Sequence, residues 1–500
     1  MQMSSREFNK DKQANFSEWY NTIIYAADLA DIRYNVQGFV VHKPWSMRVF
    51  KKLYKLFETE LEKDGHEPVS FPTVIPEENF EVEKAHAEGF TPEVYWVTKQ
   101  GDHEMARKLA LRPTSETAFY QMYNLWVKSH TDLPIKYYQS CTVFRNESET
   151  NPFMRGREFM WIETHDVFAT EKEARLQIER DKETTEVCCK SMCLPFRFFK
   201  RPHWDTFPGA FETYATDIML PDGKALQFAT THYLGTNFSK AFNVKYSDEK
   251  GVEHFPHTTC FGPGIWRMLA AIIATHGDNK GLVFPFTIAP LQVIIVPIPK
   301  AGEEKNIEAY SEEVKQALEK HGIECKIDNS GKTPGYKYNY WELKGVPLRI
   351  EIGGREAKEK TVTITRRDNR EKTICSLNEV AAKVVEIGKK LDEALLSKAE
   401  DEMAKRVKKA STKQEVLAAI EAKCYAKTFI CSTGKEGTRC AQELQAFTKG
   451  GKIRGELIGE MSIERSSMTQ SQASLVPKQT KGKCIECGKL GVQVYVARQY

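Results

Sequence analysis

No stretch of this chain approaches the roughly 20 consecutive apolar residues that a bilayer-spanning helix needs, which excludes a helical membrane protein. An apolar leader is also missing, because Met1 to Asn15 is polar and mixed in charge, unlike a secretory signal. Charge of one sign is nearly absent: 72 lysines and arginines meet 68 aspartates and glutamates, leaving a net +4. That balance permits a nucleic-acid partner without establishing one. Nor do the 12 cysteines form a regular framework; Cys188 and Cys189 are adjacent and the rest are scattered over 500 residues. Such usage indicates a reducing compartment, read here as the cytoplasm, with some thiols available to a metal.

What is present describes a soluble globular protein of two to four domains, with 41% hydrophobic and 28% charged residues. Val49, Phe50, Leu53, Leu56, Phe57 and Leu61 recur at helical steps, and Asp64-Gly65 ends that helix. Glu67 to Pro76 reads as a strand interrupted by Pro72, hence an edge strand or one shaped by a partner subunit. Strand-like runs follow to about Phe286, broken by helices after Glu116 and over Glu171 to Ser191. This is an α+β block on a mostly antiparallel sheet. From Ile288 strands alternate with helices, ending with a helix over Leu377 to Leu391; this reads as a compact α/β domain. The charged stretch Ala394 to Lys409 reads as a connector, and a third unit carries five cysteines and a polar loop over Ser466 to Lys483. The expected divisions are 1–287, 288–395 and 396–500.

The most informative segment is a hairpin. Phe144-Arg145-Asn146-Glu147 ends one strand, and Arg157 to His165 forms the next. With period two, Arg157, Phe159, Trp161, Glu163 and His165 share one face while Met160 and Ile162 face away. Arginine, a flat aromatic ring and a carboxylate on one surface suit a nucleotide: they meet its phosphate, its base and its exocyclic amine. Trp161 and His165 among the charges argue against a merely solvated face. Thr114 and Glu116 enter a helix, where Thr-x-Glu is commonly just a cap. Gln227, Thr230 and His232 lie on a strand, and Gly262-Pro263-Gly264-Ile265-Trp266-Arg267 lets a backbone approach a ligand that the arginine covers.

In this order the motifs resemble the signature motifs of class II aminoacyl-tRNA synthetases. Arg112-Pro113-Thr114-Ser115-Glu116, Arg157-Glu158-Phe159, Leu234 to Ser239, His276-Gly277-Asp278 and Tyr340 to Arg349 resemble prolyl-tRNA synthetases of the archaeal and eukaryotic type. The resemblance runs from about residue 15 to Tyr500. It implies a catalytic domain on an antiparallel sheet, an α/β anticodon-binding domain and a small C-terminal α/β zinc-type domain. The implied activity is ligation of L-proline to tRNA(Pro) with ATP and Mg²⁺, by a homodimer joined through the helix and strand ending near Pro72.

Carried over by position, the resemblance assigns Arg145 to the α-phosphate and the proline carboxylate. Phe159 and Arg267 sandwich the adenine, Glu147 reads its amino group, and Arg155 and Arg157 contact the polyphosphate. Gln227 and Thr230 lie near ribose and phosphates. Thr114 and Glu116 receive the proline ammonium, Trp161, Phe211 and His232 wall its ring, and Glu163 and His165 complete the polar side. Tyr338, Glu342 and Arg349 read the anticodon. Cys431, Cys440, Cys484 and Cys487 form the zinc site, with Cys424 as a substitute in the first pair. The terminal Tyr500 packs toward the catalytic domain. One departure is Ile265-Trp266 before Arg267, where family members usually carry a small polar residue.

About 60 residues separate His165 from Gln227, too few for the editing domain that bacterial-type relatives insert there. Alanine activation without correction by this chain is therefore expected. Two other readings remain: an RNA-binding protein that has lost activation, against which the retained arginines speak, and a class II ligase for threonine or serine. Pockets of the latter kind are expected to hold zinc or a primary ammonium, and the block before 288 shows no Cys/His cluster in its sequence.

Overall fold

Strands that alternate polar with apolar residues must bury one face, and half of the described strands do so in one sheet of 12 strands. The structure is a computed structural model that describes residues 8–86, 94–460 and 480–500. The N-terminal block runs α1 (Pro44–Lys63), β1 (Glu67–Pro68), α2 (Glu116–Trp126), β2 (Ile135–Phe144), β3 (Glu158–Phe168) and α3 (Glu171–Ser191). It continues with β4 (Arg197–Lys200), β5 (Glu212–Met219), β6 (Lys224–Gly235), β7 (His257–Pro263) and α4 (Ile265–His276). These strands lie in the order β4-β5-β6-β7-β3-β2-β1, antiparallel except for the β1–β2 pair. Leu53 and Phe57 of α1, Ile178 of α3 and Leu269 of α4 share one core with Ile162 and Phe228 of the sheet. Helices thus cover one face, and the alternate residues of β3 are left for the other.

The expected single strand over Glu67 to Pro76 is split. β1 edges the large sheet, whereas Val74–Pro76 joins Trp96–Gln100 and His103–Leu111 in a separate three-stranded sheet. Prolines 68, 72 and 76 remove the donors that one continuous ladder requires. The residues between β3 and β6 are spent on α3, β4 and β5, which belong to the block itself.

The second unit holds β8 (Val293–Pro297), α5 (Glu304–Glu319), β9 (Cys325–Ile327), α6 (Pro334–Lys344), β10 (Leu348–Ile352), β11 (Thr361–Arg366) and β12 (Lys372–Ser376). Its sheet runs β9-β8-β10-β11-β12, parallel over the first three strands and antiparallel beyond. The expected helix and connector are one element, α7 (Val380–Lys405), because Leu391, Leu395, Ala399 and Met403 carry its buried stripe onward. The last unit adds β13 (Val407–Lys409), β14 (Tyr425–Ile430), α8 (Thr438–Phe447), β15 (Gly451–Glu460), β16 (Lys481–Lys483) and β17 (Leu490–Gln499). Its strands extend the large sheet as β13-β14-β17-β15-β4, with β16 paired to β17. Most of the polar loop expected over Ser466 to Lys483 lies outside the described residues.

Two of the sequence motifs clamp the second unit onto the first. Trp45 Nε1 donates to the Lys344 carbonyl at 3.0 Å, and Lys344 Nζ donates to the Ala27 carbonyl at 2.7 Å. Arg367 meets both oxygens of Asp278 at 2.9 and 2.8 Å, a forked geometry that fixes orientation as well as charge. Gly345 ends α6 at φ +75°, and a Cβ there would stand 2.7 Å from the Leu282 carbonyl carbon. Left-handed backbone plus this overlap makes Gly345→Ala destabilising by about 2 kcal/mol or more. A thermal melt should show the loss; an unchanged midpoint would mean that the junction is looser than its geometry.

Candidate active site

Strands β3, β5, β6 and β7, with the N-terminal ends of α2 and α4, surround a cavity of about 460 Å³. Thr114, Glu116, Arg145, Glu147, Arg155, Phe159, Trp161, Gln227, Thr230, His232 and Arg267 all line it. At one end Ser115 makes no side-chain cap to α2, so Thr114 and Glu116 are not mere capping residues. The Thr114 hydroxyl donates to the buried Glu116 carboxylate and lies 3.2 Å from Glu163 Oε2. In the middle, the Arg145 guanidinium sits 5.2 Å from the Phe159 ring and 5.3 Å from the Trp161 ring, at cation–π range. At the other end Arg267 donates to the Met154 and Gln227 carbonyls at 2.9 and 3.0 Å. Burial lowers both arginines, Arg267 to about 10, and both stay charged near neutral pH.

Beneath the cavity, Glu163 is fully buried and accepts from the Ser115 backbone and hydroxyl, Gln139 and His165. Burial pushes the Glu163 carboxyl up, but these bonds and the His165 charge outweigh it and hold the group well below the ordinary range. His165 loses charge stability to burial yet is raised by its bond to Glu163 and the surrounding carboxylates. Neither lines the cavity; the two lie beneath its floor rather than on the wall. His232 is pushed down to about 3 by burial, then by the His165 and Arg145 charges, and presents a neutral ring whose Nδ1 meets Thr213 Oγ1 at 2.9 Å.

Three expectations change. Phe211 is 57% exposed and lies over Gly235 and Tyr233, outside the cavity. Phe207 takes the wall position, 4.7 Å from the His232 ring, and lines the cavity. Arg157 precedes β3 and turns aside, its Nε donating to the Glu147 carbonyl at 2.9 Å and its Nη1 reaching the Gln37 carbonyl at 3.4 Å. A Cys/His grouping does occur in this block, since strand register sets Cys260 opposite His165 and ligand atoms of Glu116, His165 and Cys260 fall within 4.8 Å. Burial keeps the Cys260 thiol protonated, and it points at Glu116 Oε1 at 3.5 Å, so this grouping forms a hydrogen-bonded floor. Trp266 is absorbed by the core: it bonds His42 at 2.6 Å and packs on Gly156, leaving Arg267 in place. Arg201, Asp205 and Thr213, which also line the cavity, carry no motif and were not legible in sequence.

Two further sites accompany the cavity. In the second unit a pocket of about 280 Å³ holds Tyr338, Glu342 and Arg349 together with Arg366, Arg367, Arg370 and Lys372. Arg349 stacks 3.9 Å from the Tyr338 ring. In the last unit the sulfurs of Cys431, Cys440, Cys484 and Cys487 lie within 4.8 Å of one another, with Cys431 and Cys440 3.6 Å apart. Cys424 turns instead to the Ala422 carbonyl. At the C-terminus the Tyr500 carbonyl accepts from Arg155 at 2.9 Å.

Residues 95–276 match the tRNA synthetase class II core domain (G, H, P, S and T), and residues 292–387 match the anticodon binding domain. The proline–tRNA ligase of Thermofilum pendens is 46% identical over 100% of both chains. The chain belongs to the proline–tRNA ligase family. Thermoplasma volcanium proline–tRNA ligase is 39% identical over 98% of this chain and 100% of its own. The Giardia lamblia prolyl-tRNA synthetase in complex with prolyl-adenylate superposes with a TM-score of 0.89 at 33% identity, covering 99% of this chain and 100% of that one. The Cryptosporidium parvum enzyme complexed with L-proline and AMP gives 0.87 at 31% identity, over 98% and 96%.

The Glu163–His165 pair has a pH signature. A raised histidine contributes stability that is fully present below its ordinary value of 6.5 and is lost as pH rises through its folded value. The stability difference between wild type and His165→Gln should therefore be largest in mild acid and shrink in alkali. Denaturant melts from about pH 5 to 9 check this; a flat difference would mean that folding leaves His165 unshifted, and one that grows toward alkali that the folded ring is neutral.

Proposed function

We propose that this chain activates L-proline with ATP to prolyl-adenylate and transfers the prolyl group to the 3′ end of tRNA(Pro). One observation carries the reading: a single cavity holds a carboxylate–hydroxyl pair, a central arginine against two rings, and a second arginine at the far end. The secondary ammonium of proline brings two N–H donors and one positive charge, which Glu116 and Thr114 can satisfy. Trp161, Phe207 and the neutral His232 wall the ring. Arg145 then faces both the proline carboxylate and the α-phosphate, while Phe159 and Arg267 enclose adenine and Glu147 meets its amino group.

The proline carboxylate oxygen attacks the α-phosphorus, and the bond to pyrophosphate breaks. No side chain need act as a nucleophile, so catalysis is alignment and charge neutralisation. Mg²⁺ bound with ATP would offset the polyphosphate charge, and Asp205 on the cavity wall would offer it a hard oxygen donor. Arg155 lies on the same wall. Tyr338, Glu342 and Arg349 read anticodon bases by stacking and edge bonds, with the surrounding cations on phosphates. With α3, β4 and β5 filling the interval where an editing domain would sit, alanine misactivation goes uncorrected by this chain. A homodimer covers the exposed edge strand β1, where an open ladder would otherwise remain. All 12 cysteines are free, which agrees with a cytoplasmic setting.

Proline-dependent ATP–pyrophosphate exchange across an amino-acid panel tests the activity. Proline should be strongly preferred, with Glu116→Gln raising the KM for proline about thirtyfold or more, because a buried ammonium loses its counter-charge. Exchange driven by threonine or serine, or none at all, would overturn the reading.

The four C-terminal thiols fit a structural zinc ion. Tetrahedral Zn–S bonds of about 2.3 Å require sulfurs roughly 3.8 Å apart, and four such ligands leave no open position. Elemental analysis should give one zinc per chain, and chelation should lower the melting temperature of the whole protein, because β14, β15 and β17 continue the large sheet. Four freely titratable thiols in the native state would rule the site out.

A further inference from the structure

A buried chain of charges leads from the C-terminal unit to the nucleotide end of the cavity, and nothing in the mechanism above uses it. β15 bulges at Arg454, where pairing to β17 passes from Ile453–Val496 to Gly455–Tyr495. Gly455 makes the bulge possible: its φ is +122°, and a Cβ would stand 2.0 Å from the Lys200 carbonyl oxygen. A bulge re-aims a side chain away from strict alternation. Arg454 is thereby turned into the N-terminal block, where its Nε donates to Asp217 Oδ2 at 2.8 Å with both side chains fully buried.

A second bulge completes the path. Pairing of β5 with β6 passes from Thr216–Ala229 to Asp217–Gln227, with Phe228 of β6 as the extra residue, which sets Asp217 opposite Gln227. Arg201 Nη2 donates to the other Asp217 oxygen at 2.7 Å and to Gln227 Oε1 at 2.8 Å, while Arg201 Nη1 reaches the Arg454 carbonyl at 2.7 Å. The Gln227 amide is then fully specified: Oε1 faces a donor, and Nε2 donates to Thr230 Oγ1 at 2.6 Å. The Gln227 carbonyl accepts from Arg267. Arg201, Gln227, Thr230 and Arg267 all line the cavity.

Buried ion pairs are weak stabilisers, because desolvation offsets their attraction and apolar residues of similar size often serve as well. Two arginines converging on one buried aspartate therefore call for another reason, and the contacts beyond Asp217 supply it. We propose that Arg454 is a positioning residue for ATP: through Asp217 and Arg201 it orients Gln227, and with it Thr230 and Arg267. The C-terminal unit thereby sets nucleotide affinity from outside the cavity. This rests on the ligase reading of the cavity.

The test uses the full-length chain in ATP–pyrophosphate exchange, with Arg454→Met, Arg454→Lys and Asp217→Asn. Arg454→Met should raise the KM for ATP about tenfold while the KM for proline stays within about twofold. Arg454→Lys, which keeps the charge, should recover most of that loss. Should Arg454→Met not fold, Asp217→Asn carries the same expectation, because it keeps the side-chain shape and removes the charge. Folded variants with an unchanged KM for ATP, or with both KM values raised together, overturn the proposal. A wild-type chain without proline-dependent exchange overturns the ligase reading and this inference with it; an active wild type isolates failure to the inference alone.

Discussion

A carboxylate with no exposure, Glu163, fixes the geometry on which the cavity depends. An ionised group in that position is tolerable only if nearly all its lone pairs are engaged. Ser115 supplies a backbone N–H at 3.1 Å and a hydroxyl at 2.5 Å, Gln139 an amide at 2.8 Å and His165 a ring nitrogen at 3.1 Å. Meeting that demand pins the start of α2 against β3. Thr114 and Glu116, which flank Ser115, are then aimed into the cavity rather than along the helix. Gln139 reaches further, accepting the Phe71 backbone N–H at 3.0 Å, so the proline-interrupted segment is tied to the same anchor.

Around this anchor the three units are less separate than their sequences suggest. Four of the five C-terminal strands, β13, β14, β15 and β17, lengthen the large sheet, and β15 hands its ladder directly to β4. The His276-Gly277-Asp278 motif does not reach the cavity. Its aspartate is a clamp for Arg367, with Trp19 bonded to the same residue's carbonyl at 3.0 Å. The Trp341 to Gly345 run is divided in use. Lys344 and Gly345 hold the second unit in place, while Glu342 lines that unit's pocket. Motifs that identify a family thus need not mark chemistry; some mark where rigid bodies must meet.

The period-two reading of Phe159, Trp161, Glu163 and His165 holds because a strand covered by helices on one side has no other way to bury Ile162. Helices with a clear apolar stripe were equally legible, down to the Asp64 cap of α1. Residues on irregular backbone were not. Arg157 sits before the strand begins and escapes its alternation, and Phe211 and Phe207 lie on a connecting segment whose path no periodicity describes. The bulges at Phe228, opposite Asp217, and at Arg454 are likewise silent, since each appears only when a partner strand shows the register slip.

By itself the amino-acid order determined local matters: which runs become strands or helices, which face of each is apolar, and which side chains share a face. These follow from backbone geometry and burial within a few residues. Tertiary structure alone decided the neighbours across strands, such as Cys260 beside His165 and Arg454 upon Asp217. Cross-strand register is set by packing of the whole sheet, and sequence distance carries no trace of it.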